Sequence, residues 1–288
     1  MPTKIEKDSV TGHMTTGHDW DGLQELNRPL PKWWLYVLWA SVAFAVVYCV
    51  LYPSVPGITG YWHGLLGYSQ RTSVDQAVAE VAAQRAGSMQ RIKALSFTEI
   101  RNDKQLLAVA DTAGRITFAN NCQPCHGAGG GGNPGYPTLA AGNWIWGGTL
   151  EAIQQTVTHG IRSTDPDARQ SQMPRWGDGM LTPDQIQQVA DYVMTLFGTP
   201  VARADIAPGR KLFVDNCATC HGDAGQGNRE TGGPRLASRI HLHGDTRDSV
   251  VAQITNPKMG VMPNWNGRLD EATIKSVVLY VHSLGGGE

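Results

Sequence analysis

The sequence predicts a mainly α-helical protein: one membrane-spanning helix near the N-terminus, then two tandem copies of a small helical module. Three observations predict it. Trp33 to Tyr52 is a run of twenty residues without a charge, about the length a helix needs to cross a bilayer. Cys122-Gln-Pro-Cys125-His126 and Cys217-Ala-Thr-Cys220-His221 repeat one pattern 95 residues apart. Each is followed by a stretch whose apolar residues recur at helical spacing, Ile186, Val189, Tyr192, Val193 and Leu196 in the first copy and Ile274, Val277, Tyr280, Val281 and Leu284 in the second.

Residues 1–32 are polar, carry both charge signs and read as a poorly ordered cytoplasmic segment, although His18-Asp-Trp-Asp-Gly22 is too specific for a mere tail. The span 33–52 has Trp33, Trp34 and Tyr52 at its ends, where aromatic side chains suit a membrane interface. Pro53 and Pro56 stop the helix just beyond. A cleaved signal peptide is the competing reading. Against it, the preceding segment is long, and the apolar run continues past the Ala43-Phe-Ala45 cleavage-like site. Arg28 and Lys32 precede the span, and no Lys or Arg follows until Arg71. That asymmetry sets the N-terminus in the cytoplasm and the bulk of the chain outside. Cys49, within the span, reads as a small hydrophobe facing lipid or a partner helix. Residues 53–110 form a linker, with a turn-rich start and then, from Ser73, a helical stretch whose apolar face (Val74, Val78, Val81) is expected to pack on protein.

The two C-x-x-C-H motifs carry the chemistry. This is the attachment signature of a c-type haem, with two thioether cysteines and a proximal histidine. Zinc would need further close Cys or His pairs, and the remaining cysteine is Cys49. A redox dithiol needs no adjacent histidine. The expectation is therefore two covalent haems, held by Cys122 and Cys125 and by Cys217 and Cys220, with His126 and His221 on the irons. Each motif follows a short helical stretch, and each module ends in one of the amphipathic segments, the first opened by Thr182 as cap and Pro183 at the first helical position. N-helix with C-x-x-C-H, looping middle and C-terminal helix is the outline of a class I cytochrome c domain, so two tandem class I cytochrome c domains are expected at 111–198 and 205–285. Such small modules rely on the cofactor for core. With 34 glycines and 17 % charged residues against the usual quarter or so, the composition suits that reading.

A closed electron-transfer haem takes a sixth ligand, Met or His. Met173-Pro174 follows His126 by 47 residues, and Met262-Pro263 follows His221 by 41. The expected pairs are therefore His126 with Met173 and His221 with Met262. Met180 and Met259 are rivals without the Met-Pro context, and His159, His241 and His243 keep bis-His ligation open. Arg162, Arg175 and Arg235 are candidates for haem propionates, since guanidinium matches carboxylate geometry. Trp144, Trp146 and Tyr136 are expected along the haem edges. The net charge of −1 gives no footprint for nucleic acid.

His18-Asp-Trp-Asp-Gly-Leu-Gln-Glu-Leu-Asn27, Pro29-Leu-Pro-Lys-Trp-Trp34, Tyr52-Pro-Ser-Val-Pro-Gly57, Gln170-Ser-Gln-Met-Pro174 and Tyr280-Val-His-Ser-Leu-Gly-Gly-Gly287, together with the haem motifs, resemble subunit III of the cbb3-type cytochrome c oxidases, the FixP/CcoP family. The resemblance covers most of the chain. It implies an electron-transfer arm that accepts electrons from a cytochrome c and relays them to a monohaem subunit and then to a catalytic haem–copper subunit. Oxygen is reduced and protons are pumped there, not on this chain. The implied location is a bacterial inner membrane, with the haem domains periplasmic. Arg239-Ile-His-Leu-His-Gly244 departs from the resemblance, with histidines where aromatics are expected. A free-standing membrane dihaem carrier between the bc1 complex and oxidases is the runner-up. A haem sensor or dihaem peroxidase, with one open or His-ligated iron, is the third reading.

Overall fold

The computed structural model describes residues 4–288, which fall into two compact units, the first ending at Ala82 and the second running from Ala83 to Glu288. The first three residues of the expected N-terminal segment lie outside the description.

In the first unit, β1 (Thr15–Trp20) pairs antiparallel with β2 (Leu23–Leu26), with Trp20 opposite Leu23. Asp21 and Gly22 take φ of 53° and 92°, the positive-φ pair that a tight hairpin turn requires. The Asp19 carboxylate accepts from the Gly22 N–H at 2.7 Å, and Glu25 accepts from the Trp20 indole at 3.1 Å. The expected unordered segment thus contains a hairpin, because Asp-Gly supplies the turn and Glu25 ties its two sides.

Helix α1 (Lys32–Leu51) starts one residue before the predicted span and has no buried residue. It is long and apolar enough to cross a membrane. A helix ending in lipid must still satisfy its last carbonyls. Here the chain folds back to do so: the Leu65 and Leu66 N–H groups donate to Val50 and Leu51 O at 3.0 and 3.1 Å, and the Trp62 indole donates to Val50 O at 3.2 Å. Gly64, at φ 76°, allows the close approach; a Cβ there would collide with the Leu51 carbonyl.

Helix α2 (Gln70–Ala94) follows. Its Val74, Val78 and Val81 are exposed in the single chain. Farther along the helix, within the second unit, Met89 packs on a core and Ile92 is fully buried. The single helical stretch expected up to residue 110 is broken twice. Ser96 forms a capping box with Glu99 to start α3 (Phe97–Asn102), and Asp103 caps α4 (Lys104–Asn121). Ser and Asp oxygens accept the first free N–H groups, so each begins a new helix rather than prolonging the old one.

The rest of the second unit comprises α5 (Gln123–His126), α6 (Leu150–His159), α7 (Pro183–Leu196), α8 (Ala207–Asn216), α9 (Ala218–His221), α10 (Arg247–Thr255) and α11 (Glu271–Ser283). The packing is crossed. The N-helix of the first module, α4, packs on α11, the last helix of the second module, and α11 also packs on α6. Helix α7, which closes the first module, packs on α8 and α10 of the second. One core therefore joins Phe118 and Ile153 to Val277 and Val278, and the other joins Val189 and Val193 to Phe213 and Ile254. Both crossings use the same device. Gly114 lies against the Ser276 carbonyl beside the Phe118–Tyr280 ring pair at 5.4 Å, and Gly209 lies against the Gln188 carbonyl beside the Tyr192–Phe213 pair at 5.2 Å. A glycine lets two backbones approach where a larger side chain would hold them apart.

Asp191 on α7 clamps the second core. Its side chain is 5 % exposed and binds Arg247 Nε at 2.6 Å and Arg203 Nε at 2.7 Å. The Arg247 hydrogen bond, with Arg203 helping, holds the carboxyl below the usual carboxylate range. Asp191→Ala is expected to cost about 2 kcal/mol in thermal or denaturant unfolding, below the value for a fully buried pair because both arginines reach solvent. A lowered native pKa means that the contribution is full above the unfolded-state carboxylate range. It is lost as pH falls through the native value, so the wild-type and variant stabilities should converge in acid.

Candidate functional site

The two C-x-x-C-H segments adopt the same geometry. Helix α4 ends at Cys122, and the chain turns once more through α5, with the Cys125 and His126 N–H groups donating to Cys122 O at 3.1 and 2.9 Å. The Cys220 and His221 N–H groups donate to Cys217 O at 3.2 and 3.0 Å. One helical turn puts residues i, i+3 and i+4 on one side, so both sulfurs and the imidazole of each motif share a face. Gly127 and Gly222, both at φ 75°, end these turns.

Each imidazole is then oriented. His126 Nδ1 lies 3.0 Å from Pro137 O and His221 Nδ1 lies 3.0 Å from Pro234 O. A carbonyl can only accept, so Nδ1 carries the proton and Nε2 presents its lone pair. Burial pushes both histidines below the ordinary imidazole range, partly offset by the carbonyl contact, which keeps that lone pair free. Burial, with the neighbouring cysteine adding, pushes the Cys122 and Cys217 thiols up to about 11. A neutral imidazole with free Nε2, beside two thiols on one face, is the donor set that a covalently attached haem requires.

The methionines sit across the halves. Met262 packs on the core containing Phe118, with Cys122, Leu139 and Trp144. Its backbone pairs with Ile161 in both directions at 3.0 Å, and the Trp265 N–H donates to Val157 and Thr158 O at the end of α6. Met173 packs on the core containing Phe213 and Ala218, with Cys217 and Leu236. The Trp176 and Gly177 N–H groups donate to Ile254 and Thr255 O at the end of α10. The within-module pairs expected from sequence are therefore not the neighbours that the fold makes. Each Met-Pro loop is hung on the last turn of the other half's middle helix, and the exchange of C-terminal helices carries the loops with it.

Met180 is exposed, and Met259 Sδ accepts from the Met173 N–H at 3.4 Å. His159 Nδ1 binds Asp165 at 2.9 Å, and the His241 ring stacks on Phe197 with centroids 3.6 Å apart. His243 is half-buried, and burial pushes its imidazole down. Of the arginines named as propionate candidates, Arg235 donates to Ala237 O and Arg162 to loop carbonyls. The Trp144 indole donates to Gly286 O, Trp146 lies under the Arg169 guanidinium at 5.2 Å, and Tyr136 is exposed. Sequence reasoning missed Pro137 and Pro234. Their signal was present as a repeated Pro-x-Leu, Pro137-Thr-Leu139 and Pro234-Arg-Leu236, following the two motifs.

Comparison with known proteins decides the family. Residues 109–193 and 204–281 each match the family described as cytochrome c oxidase, cbb3-type, subunit III, and residues 12–59 match the N-terminal domain of cytochrome oxidase-cbb3, FixP. The chain belongs to the cbb3-type cytochrome c oxidase subunit III family. It is 45 % identical to the cbb3-type cytochrome c oxidase subunit FixP of a Bradyrhizobium species over the whole of both chains. It is 48 % identical to the subunit CcoP of an Azospirillum species over 98 % of each, and 46 % identical to CcoP of Cereibacter sphaeroides over the whole of both. Membership in this subunit III family makes the chain a haem-binding, electron-transferring oxidase subunit with one candidate membrane helix. The N-terminal match includes the hairpin and α1, the part of the chain that a generic dihaem cytochrome does not need.

Proposed function

We propose that this subunit carries two covalent haem c groups and relays electrons through them to the catalytic part of a cbb3-type oxidase. Cys122, Cys125 and His126 hold one haem with Met262 as the sixth ligand. Cys217, Cys220 and His221 hold the other with Met173. The observation that carries this reading is the twofold recurrence of one geometry: a C-x-x-C-H turn, a proline carbonyl on Nδ1, and a Met-Pro loop in the same core as the motif. Each haem, when bound, supplies a one-electron Fe(II)/Fe(III) couple. The chain's own residues fix the imidazole tautomer, present a thioether that favours the reduced iron, and half-bury both ligands.

The partners proposed are the monohaem and catalytic subunits of the oxidase, a donor cytochrome c, and membrane lipid around α1. The positive charges ahead of α1 support a cytoplasmic N-terminus and periplasmic haem modules, which as stretches of sequence we set at 111–198 and 205–285. Purification in mild detergent should bring the chain out with subunits carrying haem b and copper; a chain that emerges alone is a free-standing carrier instead. Intact mass should exceed that of the polypeptide by two haems, and Cys217→Ser with Cys220→Ser should remove one of them.

A further inference from the structure

Arg162 has an unusual backbone. Its φ of 53° lies in the left-handed region, which non-glycine residues seldom occupy and which clusters at functional sites. The preceding residue, Ile161, is the one paired with Met262. The half-buried Arg162 side chain reaches both methionine loops. Nε donates to Gly260 O at 2.7 Å, and Nη1 donates to Ser171 Oγ at 2.8 Å and Ser171 O at 3.3 Å. Ser171 stands two residues before Met173, and Gly260 stands two residues before Met262. One guanidinium therefore holds equivalent positions of two loops that come from different halves of the chain. A direct contact runs beside it, from the Met173 N–H to Met259 Sδ.

We propose that Arg162 is the positioning residue that sets both axial methionines at once, coupling the ligand geometry of the two haems through a single side chain. The proposal rests on Met173 and Met262 being the sixth ligands. The planar fork matters: its donors point in fixed, separate directions, so it can hold two loops in one relative position, which a single ammonium cannot. Its Nε and Nη1 donors are committed to main-chain carbonyls and a hydroxyl. This gives Arg162 a role different from the propionate contact read from sequence.

The test uses the haem-loaded full chain. Arg162→Gly removes the guanidinium and also relieves the left-handed backbone, so it should fold with both haems attached. The methionine-to-iron charge-transfer bands of both ferric haems should weaken, and both midpoint potentials should fall. A tenfold loss of methionine's preference for reduced iron is a fall of about 59 mV in a one-electron couple. Ser171→Ala loosens one loop only and should move one haem alone. Wild-type bands and potentials in Arg162→Gly, or a change confined to one haem, would overturn the assignment. So would equal movement of both haems in Ser171→Ala, which would signify general loosening. Met173→His and Met262→His separate the two levels. If each abolishes one band while Arg162→Gly changes neither, Arg162 alone is wrongly assigned. If neither abolishes a band, the ligand reading fails and the coupling with it.

Discussion

Replacing Met262 with histidine is expected to lower the potential of the haem attached to Cys122 and Cys125, and to leave the haem on Cys217 and Cys220 unchanged. Met262 lies in the second half of the sequence, yet it packs on the core that contains Phe118 and that Cys122 also borders, and its backbone is bridged to Ile161. Thioether ligation favours reduced iron and imidazole favours it less. Axial ligands command a range of about 0.8 V, so an exchange of one ligand should move the potential by on the order of 100 mV. Met173→His should mirror the result on the other haem. The assignment of each change to its haem can be made by NMR on protein with labelled methionine methyls. The Met262 methyl should show contacts to the haem whose thioethers belong to Cys122 and Cys125. Contacts to the haem of Cys217 and Cys220 would restore ligation within each module.

What was legible in the sequence is what local chemistry dictates. The cysteine and histidine spacing, the Met-Pro pairs and the apolar register of α7 and α11 all act within a few residues, so each could be read directly. The exchange could not. Helices α7 and α11 carry the same pattern, including Tyr192 and Tyr280. Helices α4 and α8 carry the same Gly and Phe, Gly114 with Phe118 and Gly209 with Phe213. Two nearly equivalent faces accept either partner by pattern alone, so the choice depends on tertiary contacts such as Asp191 with Arg247 and Ile161 with Met262. The N-terminal hairpin was missed for another reason. Its Asp21-Gly22 turn signal was present, but the flanking residues do not alternate apolar and polar. Glu25 holds it instead, accepting from Trp20 and Thr16.

Gly114→Leu is expected to destabilise residues 83–288 by about 3 kcal/mol or more, because overpacking a backbone contact forces helices apart. A Cβ at Gly114 would strike the Ser276 carbonyl and come within 2.8 Å of Tyr280 Cβ. The neighbours are backbone and the root of a side chain, which cannot swing away. At about 2–4 °C per kcal/mol for a unit of this size, the midpoint should fall by roughly 10 °C. Gly209→Leu, against the Gln188 carbonyl, should do the same. How the unfolding curve changes carries more information than how far it moves. Helix α11 is the last of the chain, but it covers the helix that leads to Cys122. Helix α7 closes the first module, but it covers the helix that leads to Cys217. Neither half can release its C-terminal helix without uncovering the other half's motif. Calorimetry of the haem-loaded chain should therefore show one transition that shifts as a whole in either variant. Two transitions, of which Gly114→Leu moves only one, would mean that each module folds on its own helices and that the crossed packing does not form.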